Sequence, residues 1–152
     1  MIMHRFILLI ATGLGVGYSP IAPGTAGTLV AIPLYILLSR IPSPVYELTL
    51  LAFFFLSAWV SDRAQEYLGR KDDQRIVIDE VMGFLVAMLW LPGELFAIVF
   101  AFLLFRFFDI VKPFPIRRLH KRWSSGYGVV LDDLLAGIYT SIVLHILFQV
   151  WL

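Results

Sequence analysis

Long apolar runs separated by short polar segments dominate this chain. The runs cover residues 28–38, 45–61, 81–91, 95–105 and 134–152. Each is longer than a typical strand, rich in Leu, Ala and Phe, and free of strict alternation, so each predicts a helix. The turn Pro92-Gly93-Glu94 separates the runs 81–91 and 95–105 and predicts a helical hairpin over 79–91 and 95–108. The pattern therefore predicts an all-α protein with about five hydrophobic helices.

The lengths of the runs bear on whether they cross a membrane. Only 45–61 and 134–152 approach the roughly 20 residues needed to span a hydrocarbon core of about 30 Å. A helix over 81–91 would rise only about 17 Å. The shorter runs 28–38 and 81–91 must tilt, borrow length from their flanks or stop part way, and the sequence leaves this open.

Composition favours the bilayer as the solvent for these runs. Apolar residues make up 60% of the chain and charged residues 15%, with a mean hydropathy of +0.87. Soluble domains are about 45–50% apolar and about 25% charged. A chain of 152 residues predicts one domain, 1–152, and lacks the interior volume to hide so many apolar side chains. We therefore expect a polytopic membrane bundle.

The basic residues predict an orientation in the membrane. With a cytoplasmic N-terminus and external turns at 39–44 and 92–94, Arg40 is the only one of the twelve basic residues outside. This matches the positive-inside bias of multi-pass membrane proteins. The polar segments, and any site built from them, then face the cytoplasm. The net charge of +1 gives no sign of a nucleic-acid partner, and the oligomeric state is not readable.

Two carboxylate pairs stand where apolar helices are predicted to begin. Asp79-Glu80 precedes one apolar run and Asp132-Asp133 precedes another. In each case a small residue follows four positions later: Asp79 to Gly83, Asp132 to Ala136 and Asp133 to Gly137. Positions i and i+4 share a helix face, and small residues let membrane helices approach closely. A single acid at the N-terminus of a helix is explained by capping. Two adjacent acids beside hydrocarbon are harder to explain in this way and favour a functional site.

A third polar segment combines both charges. Arg106, Asp109 and Lys112 are spaced i, i+3, i+6, and Pro113 is expected to end their helix. The three could form an intrahelical ion-pair ladder. Alternatively, Asp109 ligates a metal while Arg106 and Lys112 bind an anionic headgroup, since Arg makes bidentate phosphate contacts and Lys acts as a point charge.

A glycine-rich segment over 13–28 is the fourth. Thr25 and Thr28 could open a helix whose free N–H groups bind phosphate, with Ser19 upstream. The alternative is a re-entrant or packing segment rich in Gly and Pro. No Gly-Lys-Ser/Thr follows at the required spacing, so this is not a P-loop.

The available side chains restrict the chemistry. The chain has no Cys, which excludes a cysteine nucleophile, and its three His residues lie far apart. Carboxylate oxygens are ligands that Mg²⁺ prefers, and a bound metal can neutralise phosphate charge and activate a water. A carboxylate nucleophile is the mechanistic rival. A small cation-coupled transporter and a non-catalytic assembly subunit are the other function classes considered.

Four motifs, in order and at matching separations, carry a family resemblance. They are Gly17-Tyr18-Ser19-Pro20 with Pro23-Gly24-Thr25-Ala26-Gly27-Thr28, then Ile76-Val77-Ile78-Asp79-Glu80-Val81-Met82-Gly83, then 105–116, and Gly126-Tyr127-Gly128-Val129-Val130-Leu131-Asp132-Asp133. The chain resembles the phosphatidylglycerophosphatase A family from Gly13 to Gly137. The resemblance implies a bacterial inner-membrane, Mg²⁺-dependent enzyme that removes the terminal phosphate of phosphatidylglycerophosphate.

These considerations assign candidate roles. The catalytic candidates are Asp79, Glu80, Asp109 and Asp133; the candidate Mg²⁺ ligands are Asp79, Glu80, Asp109, Asp132 and Asp133. The resemblance adds Asp72 to the site. The candidate substrate-binding residues are Asp72, Arg106, Lys112, Thr25, Thr28 and Ser19. We expect the acyl chains to remain in lipid while the headgroup reaches the carboxylates.

Overall fold

The computed structural model describes residues 2–118 and 125–151. Within these ranges the chain forms helices and turns and no strand. The six helices of ten or more residues are α1 (Ile2–Ala11), α2 (Pro23–Leu38), α3 (Ser43–Leu68), α4 (Ile78–Ala87), α5 (Leu95–Val111) and α6 (Gly126–Trp151), and a 3₁₀ turn covers Val16–Tyr18. The predicted all-α class is confirmed.

The number of hydrophobic helices differs from the prediction of about five. α1 is an additional helix, and its Ile7 and Ala11 pack beside Val60 and Ala64 of α3. At 10 residues, it would rise only about 15 Å. By length and composition, α3 and the 126–149 part of α6 are the two described helices able to cross a membrane. Five membrane crossings are therefore not confirmed.

Several helices extend beyond their apolar runs. α3 continues seven residues past position 61 and ends at Gly69, whose φ of 66° suits a residue without a Cβ. α6 begins at Gly126, so Asp132 and Asp133 lie inside its first two turns. The expectation that this pair stands at the mouth of a helix was wrong, because the helix begins at Gly126, six residues before Asp132.

α4 is the centre of the bundle. Nine of its ten residues are buried, and it packs against α2, α3, α5 and α6. Tyr46 Oη donates to the Leu85 carbonyl at 3.0 Å, and Tyr35 Oη donates to the Leu91 carbonyl at 3.4 Å. A helix wrapped by protein need not span the hydrocarbon to satisfy its backbone. This explains how an apolar helix of 10 residues is accommodated.

α4 and α6 cross in close contact at two glycines. A Cβ added to Gly83 would lie 2.6 Å from the Asp133 carbonyl oxygen, and one added to Gly137 would strike the Gly83 carbonyl. The i, i+4 spacing of acid and small residue is compatible with such a crossing of the two carboxylate-bearing helices, and the structure shows it. α5 returns after the turn at 92–94 and ends at Lys112, before Pro113, as the sequence predicts.

Large apolar side chains remain on the outside after the helices have packed. Leu48, Leu51 and Phe55 of α3 are each more than half exposed, as are Ile142 and Ile146 of α6. A soluble protein seldom exposes such a continuous apolar surface. Bilayer hydrocarbon is the environment that suits this surface.

Candidate active site

Polar residues from several helices meet at one end of the bundle. The beginnings of α2, α4 and α6 lie beside the ends of α3 and α5: Gly24 lies against Glu80 and Arg106, Asp133 lies beside Asp79, and the Gly126 amide donates to Asp62 Oδ1 at 3.0 Å. The three acidic or basic segments named above, and part of the glycine-rich segment, are carried by these helix ends. The opposite end carries Glu47, whose Oε1 accepts from Trp90 Nε1 at 2.6 Å.

Three carboxylates form the innermost part of this site. One carboxylate oxygen each from Asp79, Glu80 and Asp133 lie within 4.8 Å of one another. Asp79 and Asp133 are 6% and 4% exposed, and Glu80 is partly exposed. Asp79 Oδ1 and Glu80 Oε2 are buried and have no hydrogen-bond partner within the described ranges.

This arrangement fits a hard divalent cation. Three carboxylates this close cannot all ionise without compensating positive charge, and burial without a partner is costly for each. Oxygen ligands from carboxylates are the set that Mg²⁺ and Ca²⁺ prefer. Asp79, Glu80 and Asp133 are therefore the residues that could hold such a cation.

Asp109 and Arg106 flank the carboxylates from α5. Arg106 Nη1 lies 2.6 Å from Asp109 Oδ2, and the Asp109 carboxyl lies near that of Asp133. Arg106 Nε is buried and has no hydrogen-bond partner in the part of the chain described. The i, i+3 ion pair weighed from the sequence is present, and it lies within the site. The ligand role of Asp109 stays a prediction.

Asp132 takes a different position from its neighbour. Its Oδ2 accepts from Lys112 Nζ at 3.1 Å, and it is absent from the close group formed by Asp133. Consecutive residues on a helix point about 100° apart, which separates the two. Burial lowers the pKa of Lys112, but attraction to Asp132 and Asp133 outweighs it and raises that pKa above its ordinary value. The ligand role of Asp132 stays a prediction.

The start of α2 closes another side of the site. A Cβ added to Gly24 would meet Glu80 Oε1 and would lie 3.2 Å from both terminal nitrogens of Arg106. Only a residue without a side chain lets this backbone approach both groups. The sequence indicated the glycine-rich motif but did not single out Gly24.

The three hydroxyl residues predicted to bind substrate are Thr25, Thr28 and Ser19. Thr28 is buried and its Oγ1 donates to the Gly24 carbonyl at 2.9 Å, while Ser19 Oγ donates to the Ile21 carbonyl at 2.9 Å. Thr25 is partly buried in the first turn of α2. The structure thus gives Thr28 and Ser19 backbone partners, and substrate binding by all three stays a prediction.

The loop between α3 and α4 is held by side chains that sequence reasoning did not select. Asp73 accepts hydrogen bonds from the Arg75 amide at 3.0 Å and from its guanidinium at 2.8 and 2.7 Å. These bonds lower the pKa of Asp73 below its usual value, against the opposing effect of burial. Gln65 Oε1 accepts from the Asp72 amide at 2.8 Å. The Asp73-x-Arg75 spacing was the available signal for this pinned loop.

A polar cavity of about 580 Å³ opens beside the carboxylates. Its lining residues are Pro20, Ala22, Pro23, Gly24, Arg70, Asp72, Gln74, Glu80 and Arg106. The half-buried Glu80 and Arg106 line one part, and the exposed Arg70, Asp72 and Gln74 line another. This volume is in the range of small-molecule sites, about 300–1,000 Å³. Of the predicted substrate-binding residues, Asp72 and Arg106 line it.

Comparisons with known proteins give consistent matches over most of the chain. The family model described as Phosphatidylglycerophosphatase A matches residues 9–148. The chain is 33% identical to Phosphatidylglycerophosphatase A of Escherichia coli over 94% of this chain and 84% of the relative. It is 37% identical to Phosphatidylglycerophosphatase A of Haemophilus influenzae over 96% and 90%. No solved structure matches the chain significantly.

A third bacterial relative carries a different name. A Bacteroides thetaiotaomicron protein, provisionally named a phosphatidylinositol-3-phosphatase, is 38% identical over 91% of both chains. The class of protein that these matches define is a lipid phosphatase. This chain belongs to the phosphatidylglycerophosphatase A family. The resemblance and the enzyme class predicted from the motifs are confirmed.

Proposed function

We propose that this protein hydrolyses the terminal phosphate of phosphatidylglycerophosphate, in a Mg²⁺-dependent reaction that leaves phosphatidylglycerol and inorganic phosphate. The observation that carries the proposal is the carboxylate group Asp79, Glu80 and Asp133 beside a polar cavity lined by Arg106. Family membership supplies the lipid phosphate.

Each residue of the site has a role in this proposal. Asp79, Glu80 and Asp133 hold the cation, with Asp109 and Asp132 as further candidate ligands. When bound, Mg²⁺ neutralises phosphate charge and activates a water. Arg106, held by Asp109 at 2.6 Å, stabilises negative charge on the phosphate, and Lys112 supplies a second cation nearby. Asp72, Thr25, Thr28 and Ser19 are candidate contacts to the rest of the headgroup.

Two routes of attack are compatible with these residues. In the first, a carboxylate of the group accepts the proton of the attacking water. In the second, a carboxylate attacks phosphorus, the P–O bond to the lipid glycerol breaks, and the departing oxygen takes up a proton; water then hydrolyses the acyl phosphate to the free carboxylate and inorganic phosphate. Rapid-quench trapping of a labelled phosphoenzyme would support the second route and contradict the first.

The membrane supplies the substrate in this proposal. We infer a multi-pass protein of the bacterial inner membrane, with α3 and α6 as spans and the carboxylates at the cytoplasmic face. Pro20, Ala22 and Pro23 form one wall of the cavity. Tyr18 and Ile21, their neighbours in sequence, are 54% and 80% exposed. An apolar rim of this kind suits the headgroup boundary of a bilayer, so the acyl chains remain in lipid.

A second candidate substrate comes from the Bacteroides thetaiotaomicron relative. Its name indicates a phosphoinositide, and that lipid also carries a terminal phosphomonoester beyond a phosphodiester. Hydrolysis of phosphatidylinositol 3-phosphate is therefore the second reaction to assay. A cation-coupled transporter remains the alternative from another function class.

The test is Mg²⁺-dependent phosphate release from phosphatidylglycerophosphate in mixed micelles. Asp79→Asn and Asp133→Asn should each reduce kcat/KM at least about a hundredfold, or about 2.7 kcal/mol of barrier, because each removes a carboxylate of the cation site. Asp62→Asn, outside the carboxylate group, is the control and should retain activity within about threefold, with its folding checked by thermal melting.

Two results would contradict the proposal. Wild-type protein that releases no phosphate with Mg²⁺ would exclude the enzyme function and would direct attention to cation-coupled transport. Activity that survives both Asn substitutions would exclude the assigned carboxylates while leaving the reaction itself intact.

A further inference from the structure

Arg70 lies in the exposed part of the polar cavity. It follows the α3 cap residue Gly69 and is exposed, whereas Arg106 of the same cavity is mostly buried beside Glu80. Arg70 and Arg106 are the cations among the described lining residues. Their different depths give the cavity two separate positions for anionic groups.

The loop that carries Arg70 is fixed before substrate arrives. Gln65, only 7% exposed, accepts from the Asp72 amide at 2.8 Å. Further along, Asp73 holds Arg75, and the Val77 amide donates to the Ala11 carbonyl at 2.8 Å. A cation on a pinned loop loses less conformational entropy on binding than one on a mobile segment.

Arg70 is available for an external anion. Within the described ranges, no carboxylate lies within 4.0 Å of its guanidinium. Other basic residues of this region have partners: Arg75 pairs with Asp73, and Arg106 pairs with Asp109. A guanidinium presents donors in a fork that matches two oxygens of a phosphate.

We propose that Arg70 binds the bridging phosphodiester of the lipid headgroup, and that it selects substrates carrying this second phosphate. The inference rests on the proposed function. The terminal phosphate must reach the carboxylates and Arg106, which leaves Arg70 for the phosphate that stays with the lipid. Arg70 is thus a specificity-determining residue and takes no part in bond cleavage.

The test compares ligands that differ in this phosphate. Phosphatidylglycerophosphate has both phosphates, phosphatidylglycerol has only the diester, and phosphatidic acid has only the monoester. Arg70→Gln should raise the KM for phosphatidylglycerophosphate and the inhibition constant of phosphatidylglycerol at least about tenfold, since a charge-assisted bidentate contact is lost. The inhibition constant of phosphatidic acid and kcat should change less than about twofold.

Two variants sharpen the measurement. Arg70→Lys keeps the charge but loses the fork, so it should fall between wild type and Arg70→Gln. Lys71→Gln removes the adjacent cation, which lines a neighbouring pocket together with Arg70 but does not line the polar cavity, and should leave all three constants near wild type. This control separates a direct contact from the general effect of charge at the membrane surface.

The outcomes are distinguishable. Weaker binding of phosphatidic acid by the same factor as phosphatidylglycerol would overturn the assignment, because Arg70 would then act on any anionic lipid. Unchanged constants for all three lipids would overturn it as well. If the wild type releases no phosphate from phosphatidylglycerophosphate, the proposed function itself fails, whatever Arg70 does.

Discussion

At the scale of single residues, small groups decide how close charged groups can stand. Gly24 brings the α2 backbone against Glu80 and Arg106, and Asp109 holds the Arg106 guanidinium. The carboxylates can converge because their neighbours supply positive charge and leave room. We therefore expect substitutions at these positions to affect the reaction more than they affect folding.

Gly24→Ala tests this separation of effects. The added methyl group would displace the Glu80 carboxylate, the far end of a flexible side chain, so folding should tolerate it. Ala is also the better helix former, by about 1 kcal/mol. We expect at least about a tenfold loss of kcat/KM, which is about 1.4 kcal/mol of barrier, and a melting temperature equal to or above wild type.

Gly93→Ala is the matched control for Gly24→Ala. An added Cβ there would lie 3.7 Å from Tyr35 Oη, an ordinary contact, at the opposite end of the bundle. Its activity should equal that of wild type. Full activity in Gly24→Ala would show that Glu80 tolerates displacement and is not needed where the structure holds it.

At the scale of elements, the crossing of α4 and α6 assembles the site. Gly83 stands four residues after Asp79, and Gly137 stands four residues after Asp133, so each glycine shares a face with an acid. The contact between these two faces brings Asp79 and Asp133 together. The two backbones meet at these glycines. A side chain added there could therefore not be accommodated by the movement of another side chain.

Gly137→Ala should therefore damage both stability and activity. The new methyl group would strike the Gly83 carbonyl, and overpacking of this kind costs about 1–3 kcal/mol. We expect a lower melting temperature in detergent and at least about a tenfold loss of Mg²⁺-dependent phosphate release. Ile138→Ala, at an adjacent residue that is 37% exposed, should change both quantities little.

A different result for Gly137→Ala would be informative. A fully active and stable variant would mean that α4 and α6 do not meet at these glycines. Loss of stability with full retention of activity per folded molecule would mean that the crossing does not position the carboxylates.

At the scale of the whole molecule, the polar groups collect at one end. α4 is enclosed by other helices, while α3 and α6 present exposed apolar side chains. Together with the distribution of basic residues, this arrangement predicts that the carboxylates lie at the cytoplasmic face. The orientation is a prediction that can be tested without a substrate.

Cysteine labelling would test the orientation cleanly, because the chain has no native Cys. In intact cells, a membrane-impermeant maleimide should label Glu94→Cys, in the turn between α4 and α5. It should label Lys71→Cys, in the loop after α3, only after the cells are opened. Both sites are exposed. The reverse pattern would put the carboxylates outside and contradict the positive-inside assignment.

The sequence by itself determined the fold class, the family and the residue types of the site. Apolar runs too long and too numerous for a soluble core indicated helices in a bilayer. Acids beside those runs are too costly to retain without a role, so Asp79, Glu80 and Asp133 were recognisable. The paired spacing to Gly83 and Gly137 even indicated the helix crossing.

Tertiary structure alone decided which of these residues meet. Asp132 and Asp133 are equivalent in sequence, but Asp133 shares a helix face with Gly137 and joins Asp79, whereas Asp132 pairs with Lys112. Arg70, Asp73 and Gly24 had no signal of comparable strength, because their importance depends on segments distant in sequence. The local pattern fixes the direction of a side chain on its own helix, and only packing fixes what that side chain faces.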